Sequence, residues 1–126
     1  MNIEQLNYFS KEIIDACFKV HKELGPGLLE SVYDICLAKE LSLKAMNYQR
    51  QVMLPVVYKG EELSLDFRID FIIENEIIVE LKAMECILPV HEAQLLTYLK
   101  LSQKRLGLLI NFNVPLLKNG IKRMIL

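Results

Sequence analysis

A mixed β-sheet flanked by helices, built in the order α-α-β-β-β-α-β, is the α/β architecture this sequence predicts. Three observations carry that expectation. Up to Lys44 the apolar residues recur with helical spacing, interrupted once at Gly25-Pro26-Gly27. From Gln51 to Ala83 the chain is rich in β-branched and aromatic residues that alternate with polar ones. A segment opened by Pro89 then separates the strand ending near Ala83 from an apolar run at Arg105–Phe112. That is the signature of a right-handed crossover between parallel strands.

Taken in order, Ile3 to about Leu24 reads as an amphipathic helix. Ile3, Leu6, Ile13, Ile14, Cys17, Phe18 and Val20 fall mostly on one stripe, with Lys11, Glu12, Asp15, Lys19 and Lys22 opposite. Gly25-Pro26-Gly27 stops it, because glycine permits left-handed backbone and proline cannot continue the hydrogen-bond ladder. A second helix is expected from about Leu28 to Lys44, its apolar side made of Leu28, Leu29, Val32, Tyr33, Ile35, Cys36 and Leu37. Gln51 to Lys59 reads as a strand, and Lys59-Gly60-Glu61 as a turn. Leu63, Leu65, Phe67, Ile69 and Phe71 alternate with Ser64, Asp66, Arg68 and Asp70, a half-buried strand. Glu74-Asn75-Glu76 turns the chain into the strand Ile77–Ala83. Pro89 opens a helix to about Leu101, where proline in the first turn costs little. Leu106 to Ile110 is continuously apolar apart from Gly107, which suits an interior strand. Leu116–Leu126 fits either a short strand or a helical turn.

A chain of 126 residues is expected to form a single domain, 1–126. With 52% apolar and 25% charged residues it is not a disordered chain. Its net charge of −1 argues against gripping nucleic acid by bulk charge, so any such contact must come from a local patch or from metal ions. Lys100, Lys104, Arg105, Lys118, Lys122 and Arg123 are candidates for the patch. Cys17, Cys36 and Cys86 show neither CxxC spacing nor an even count, which favours a reduced, cytoplasmic setting and gives soft-metal binding no support. No leader-like start and no apolar run near the ~20 residues of a membrane helix is present, so no membrane partner is expected. Phosphate-loop, nucleophile-elbow and HExxH motifs are missing as well.

The chemistry concentrates at Asp70 and Glu80-Leu81-Lys82. Period-2 geometry puts Glu80 and Lys82 on one sheet face, about 6–7 Å apart. Asp70 shares that face only if the paired positions sum to an even number, as in a three-residue Glu74-Asn75-Glu76 loop, which sets Asp70 opposite Glu80 with Cβ atoms ~5 Å apart. A two-residue loop would put them on opposite faces. Magnesium takes hard oxygen ligands and lowers the pKa of a bound water, so Asp70, Glu80 and the Leu81 carbonyl suit it. Lys82 would orient the attacking water or meet developing charge. Glu30, in the first turn of the second helix, is a further acid, although its charge also simply suits the helix dipole. His91, Gln94 and Tyr98, at i, i+3 and i+7, form one polar stripe of the Pro89 helix. His91 is the better functional histidine; His21, near a helix end, suits the dipole. Against all this stands the plainer possibility of a surface strand with ordinary alternating charges.

Gly27-Leu28-Leu29-Glu30-Ser31-Val32-Tyr33 resembles the signature of the bacterial and archaeal GxxExxY proteins. Ile78-Val79-Glu80-Leu81-Lys82, His91-Glu92-Ala93-Gln94-Leu95-Leu96-Thr97-Tyr98-Leu99 and Gly107-Leu108-Leu109-Ile110-Asn111-Phe112 resemble the rest of that family, over nearly the whole chain. Those proteins are placed in the PD-(D/E)xK nuclease-like superfamily, so the resemblance implies a restriction-endonuclease-like core. It implies that Asp70, Glu80 and Lys82 match the catalytic core and that Glu30 matches the acid of the preceding helix. Gln94 and Tyr98 match the QxxxY element of the recombination-type exonuclease branch, while Ile69 stands where the superfamily name has proline. The expectation is a Mg2+-dependent nuclease (Mn2+ as the other candidate ion), acting on DNA ahead of RNA. Glu30, Asp70 and Glu80 are its metal ligands; Asp70, Glu80, Lys82, Gln94 and Tyr98 are its catalytic set. The alternative is a non-catalytic nucleic-acid-binding or assembly module that keeps the fold. A homodimer formed through an apolar edge strand is a further expectation.

Overall fold

The computed structural model describes residues 1–63 and 67–126. Helices α1 (Ile3–Leu24) and α2 (Glu30–Leu43) come first, then strands β1 (Tyr48–Met53), β2 (Val56–Tyr58), β3 (Glu61–Leu63), β4 (Arg68–Ile73) and β5 (Ile77–Lys82). Helix α3 (Pro89–Ser102), strand β6 (Leu106–Asn111), a 3-10 turn (Leu117–Gly120) and β7 (Ile121–Ile125) complete the chain. One sheet has the order β1-β4-β5-β6-β7; β5 and β6 run parallel and the other neighbours antiparallel. The sheet is therefore mixed and flanked by helices, as the patterning predicted.

The apolar residues that define each element also say which layer it faces. Leu6, Ile13, Cys17 and Val20 of α1 and Tyr33, Leu37 and Leu41 of α2 pack on Phe71, Ile73, Val79, Leu81, Leu108 and Ile110. On the other face Leu95, Tyr98 and Leu99 of α3 cover Ile72, Ile78 and Leu109. β6 is buried along its whole length, which explains its unbroken apolar run. Its Gly107 permits the close seat of α3, since a Cβ there would stand 2.9–3.1 Å from Leu95 side-chain atoms.

Several details depart from the sequence reading. α2 begins at Glu30 rather than Leu28. Its buried stripe is Tyr33, Leu37, Ala38 and Leu41, while Leu29, Val32 and Ile35 are exposed. The helix is apolar around most of its circumference, so composition could not choose its inner side. The strand expected at 51–59 is two strands parted at Leu54-Pro55, because proline cannot donate to a ladder. The strand expected at 63–71 likewise falls into β3 and β4; Ser64, Leu65 and Asp66 lie outside the described residues. β2 and β3 meet in a two-residue hairpin with Lys59 and Gly60 at φ 51° and 79°, the geometry of a primed turn. The Leu116–Leu126 segment is both alternatives in succession. The sheet's edges are β1 and β7, whose exposed residues include the polar Gln49, Arg50, Lys122 and Arg123 as well as the apolar Met53 and Ile125.

Candidate active site

The site is built where the β4–β5 ladder stops. Ile73 pairs with Ile77 across the three-residue Glu74-Asn75-Glu76 loop, followed by Ile72 with Ile78 and Phe71 with Val79. Left-handed backbone at Glu74 and Asn75 (φ 53° and 55°) makes that loop length possible. The same register sets Asp70 against Glu80, the even-sum pairing the sequence required. There the main-chain pairing gives way to side chains. The Asp70 N–H donates to Glu80 Oε1 at 3.1 Å, and the Leu81 N–H donates to Asp70 Oδ2 at 2.8 Å. Within a strand, N–H and C=O of one residue point the same way, so the Leu81 carbonyl also faces this opening.

The neighbouring ladder is interrupted at the same level. β1 pairs with β4 at Arg50–Phe71 and Val52–Ile69, but not at Gln51–Asp70. Gln51 has φ 53°, which turns its backbone out of the sheet. Strict alternation also fails across Asp70: Phe71 and Ile73 join the core under α1 and α2, whereas Ile69 joins the core under α3. Asp70 thus stands at a local break between the two layers.

Glu30 reaches the same place from the first residue of α2, and the spacing Gly27, Glu30, Tyr33 has a physical logic. Gly27 adopts φ 95°, which a residue with a Cβ resists. Its N–H donates to Asn113 Oδ1 at 3.1 Å. Tyr33, fully buried, donates its hydroxyl to Gly25 O at 2.6 Å and accepts from the Leu28 N–H at 3.2 Å. Its ring stacks on Phe112 with centroids 4.5 Å apart. His21 Nε2 donates to Val114 O at 2.8 Å. The turn between the helices is in this way bound to the end of β6, and the start of α2 is fixed over the strands.

A cavity of about 430 Å3 is lined by Glu30, Met53, Arg68, Asp70, Glu80, Lys82, Gln94 and Tyr98. All six residues singled out from the sequence are among these eight. His91 is not; its Nδ1 accepts the Leu88 N–H at 2.9 Å and caps α3. The basic residues do not gather here either. Lys104 donates to Asn75 O at the far end of β5, and Arg123 bonds Asn7 of α1. Arg68 and Met53 were not picked out by the sequence reading. The signal for Arg68 was available, since it stands one strand repeat before Asp70.

The electrostatics are those of acids confined together. Glu80 is 5% exposed, and burial pushes its carboxyl up to about 9, helped by the charge of Asp70 and opposed by the Asp70 N–H and by Lys82. Burial raises Glu30 as well, with Asp70 adding to the effect and Lys82 opposing it. The Tyr98 hydroxyl is raised by burial and then by Glu80 and Asp70. Hard oxygen donors under mutual repulsion are a donor set that a divalent cation relieves, so the residues present suit one. Among the described residues no three His, Cys, Asp or Glu side chains are drawn together tightly enough to hold one ion. The convergence of Glu30, Asp70 and Glu80 is therefore that of a shared cavity. The physical reason is that Asp70 and Glu80 bond across each other's strands while Glu30 belongs to the helical layer.

A mixed five-stranded sheet between helices, with acids and a lysine where two of its strands part, defines the nuclease-like class of α/β proteins. Residues 7–124 match the PD-(D/E)XK nuclease superfamily, and the chain belongs to it. No curated protein and no solved structure matches the chain. Among the described residues no helix is long and apolar enough to cross a membrane.

Proposed function

We propose that this protein is a Mg2+-dependent nuclease that hydrolyses phosphodiester bonds in DNA, and that within its superfamily it is one of the GxxExxY proteins. The observation that carries the reading is the single cavity lined by Glu30, Asp70, Glu80, Lys82, Gln94 and Tyr98. Asp70 and Glu80, with the Leu81 carbonyl, are the residues that would hold the ion, and Glu30 would act on it through water. The ion, Mg2+ or Mn2+, supplies neutralisation of phosphate oxygens and a more acidic water. Lys82 stands one strand repeat from Glu80 and, among the described residues, makes no ion pair within 4.0 Å, so its ammonium is available to orient the nucleophile. Gln94 and Tyr98 present an amide and a hydroxyl from α3 to the same space and can hold a water or a phosphate oxygen.

Incubation of linear and circular DNA with the protein in Mg2+, with EDTA and Lys82→Ala as controls, tests the reading. Cleavage that survives Lys82→Ala would belong to a contaminant. The net charge of −1 favours a second reading, a non-catalytic nucleic-acid-binding or assembly module of the cytoplasm. That reading predicts binding without cleavage. For a homodimer, the exposed Leu29 and Val32 at the start of α2 offer an apolar surface; light scattering on the wild type and Leu29→Glu tests it.

A further inference from the structure

The nuclease-like cavity is not isolated. A second cavity of about 440 Å3 is lined by Glu30, Ser31, Asp34, Ile35, Arg50, Gln51, Arg68 and Asp70. The two share Glu30, Arg68 and Asp70 as a common wall. The basic groups of the second cavity differ in kind. Arg50 is committed: its Nε donates to Asp34 Oδ1 at 2.8 Å, its Nη2 bonds the same oxygen, and its guanidinium lies 5.9 Å from the Phe71 ring centroid. Gln51 Nε2 donates to Asp34 Oδ2 at 3.1 Å, so the buried Asp34 is neutralised and fully engaged. Arg68 is exposed and, among the described residues, has no carboxylate within 4.0 Å. Among the described residues it is the cation common to both cavities that pairs with no acid.

We infer that the two cavities form one groove for consecutive nucleotides of a nucleic-acid strand, and that Arg68 grips the phosphate next to the one cleaved. This rests on the nuclease reading above and adds to it a substrate subsite and a positioning residue. Arg68 lies one strand repeat from Asp70, about 6–7 Å along β4. Both residues line both cavities, so the guanidinium stands beside the Asp70–Glu80 pair where the neighbouring phosphate of an extended strand would lie. A planar guanidinium with free donors is the group that recognises a phosphate in two-pronged fashion. Ile35, 63% exposed at the other wall, gives the intervening nucleoside an apolar contact, while Ser31 offers a hydroxyl. A chain of net charge −1 has few other ways to hold a polyanion.

Fluorescence anisotropy with a labelled single-stranded oligonucleotide in Ca2+, across a salt series, tests this on the full chain. Arg68→Ala should weaken binding about 5–30-fold and flatten the slope of log affinity against log salt by about 0.7, the value for one phosphate contact on a single strand. Arg68→Lys should restore most of the slope and less of the affinity. Ile35→Glu, which places a new carboxylate in the second cavity alone at an exposed position, should also weaken binding about tenfold. Unchanged affinity and slope in Arg68→Ala, with wild-type DNA cleavage intact, would overturn the subsite and leave the nuclease reading standing. Failure of the wild type both to bind the oligonucleotide and to cleave DNA would overturn the two together.

Discussion

Glu80 is the most deeply buried acid of the candidate site, and its environment makes two outcomes measurable. Its carboxyl is raised from 4.5 to about 9, so between those limits the folded chain holds a proton that the unfolded chain has released. Stability must then fall as pH climbs through that window, because the unfolded state binds fewer protons than the native one. Glu80→Gln should remove this slope and raise the stability of the metal-free protein by on the order of 1–3 kcal/mol at pH 8, read from urea melts at several pH values. Loading Mg2+ should conversely expel a proton, seen as a dependence of calorimetric heat on the buffer's ionisation enthalpy. Lys82 belongs to the same scale: Lys82→Ala should lower cleavage about 10²–10⁴-fold while Mg2+ affinity, followed by calorimetry, is maintained or improved.

At the scale of elements, the turn between the helices and the close approach at Gly120 make the sharpest forecasts. Tyr33→Phe deletes the hydroxyl that joins Gly25 and Leu28 and should cost about 1 kcal/mol in thermal unfolding. A Cβ at Gly120 would sit 2.2 Å from the Asn111 carbonyl oxygen, so Gly120→Ala should destabilise by about 2 kcal/mol or more by the same measurement. Element legibility followed from how one-sided each pattern was. α1, with its apolar spacing and the Gly25-Pro26-Gly27 stop, was readable to its ends, though the capping box of Asn2 and Gln5 that closes its start was not picked out. α2 was not, since Leu29, Val32 and Ile35 are as apolar as the residues it buries. The three-residue loop at Glu74 was readable as the Glu74-Asn75-Glu76 turn signal, an odd length that keeps Asp70 and Glu80 on one face. The break at Gln51 and Asp70 was not, for it depends on a left-handed glutamine that no local motif announces.

For the molecule as a whole, charge sets the expectation. With 15 basic and 16 acidic residues, affinity for DNA should depend on the divalent ion and only weakly on salt. Titration in EDTA should weaken binding about tenfold or more relative to Ca2+, and the salt slope should stay shallower than about −3, equivalent to some four phosphates of a single strand. The architecture was legible because helices and strands were separated into long blocks by Gly25-Pro26-Gly27 and Pro89. That Glu30, Asp70, Glu80, Lys82, Gln94 and Tyr98 would share one cavity was legible too, through their spacing and the family resemblance. The site's geometry was less so: that Arg68 is shared between two cavities depends on α2 and β4, far apart in the chain, lining one space.

The union of the Gly25–Gly27 bend with Phe112 and Asn113 has a consequence for how such a protein fails. Four positions with no chemical task, Gly27, Tyr33, Phe112 and Asn113, govern where an acid on another layer ends up. Damage along this seam should leave a chain that still folds, still keeps Asp70 beside Glu80, and yet lacks Glu30 at its post. A screen for folded but inert variants should therefore return this distant seam alongside the carboxylates themselves.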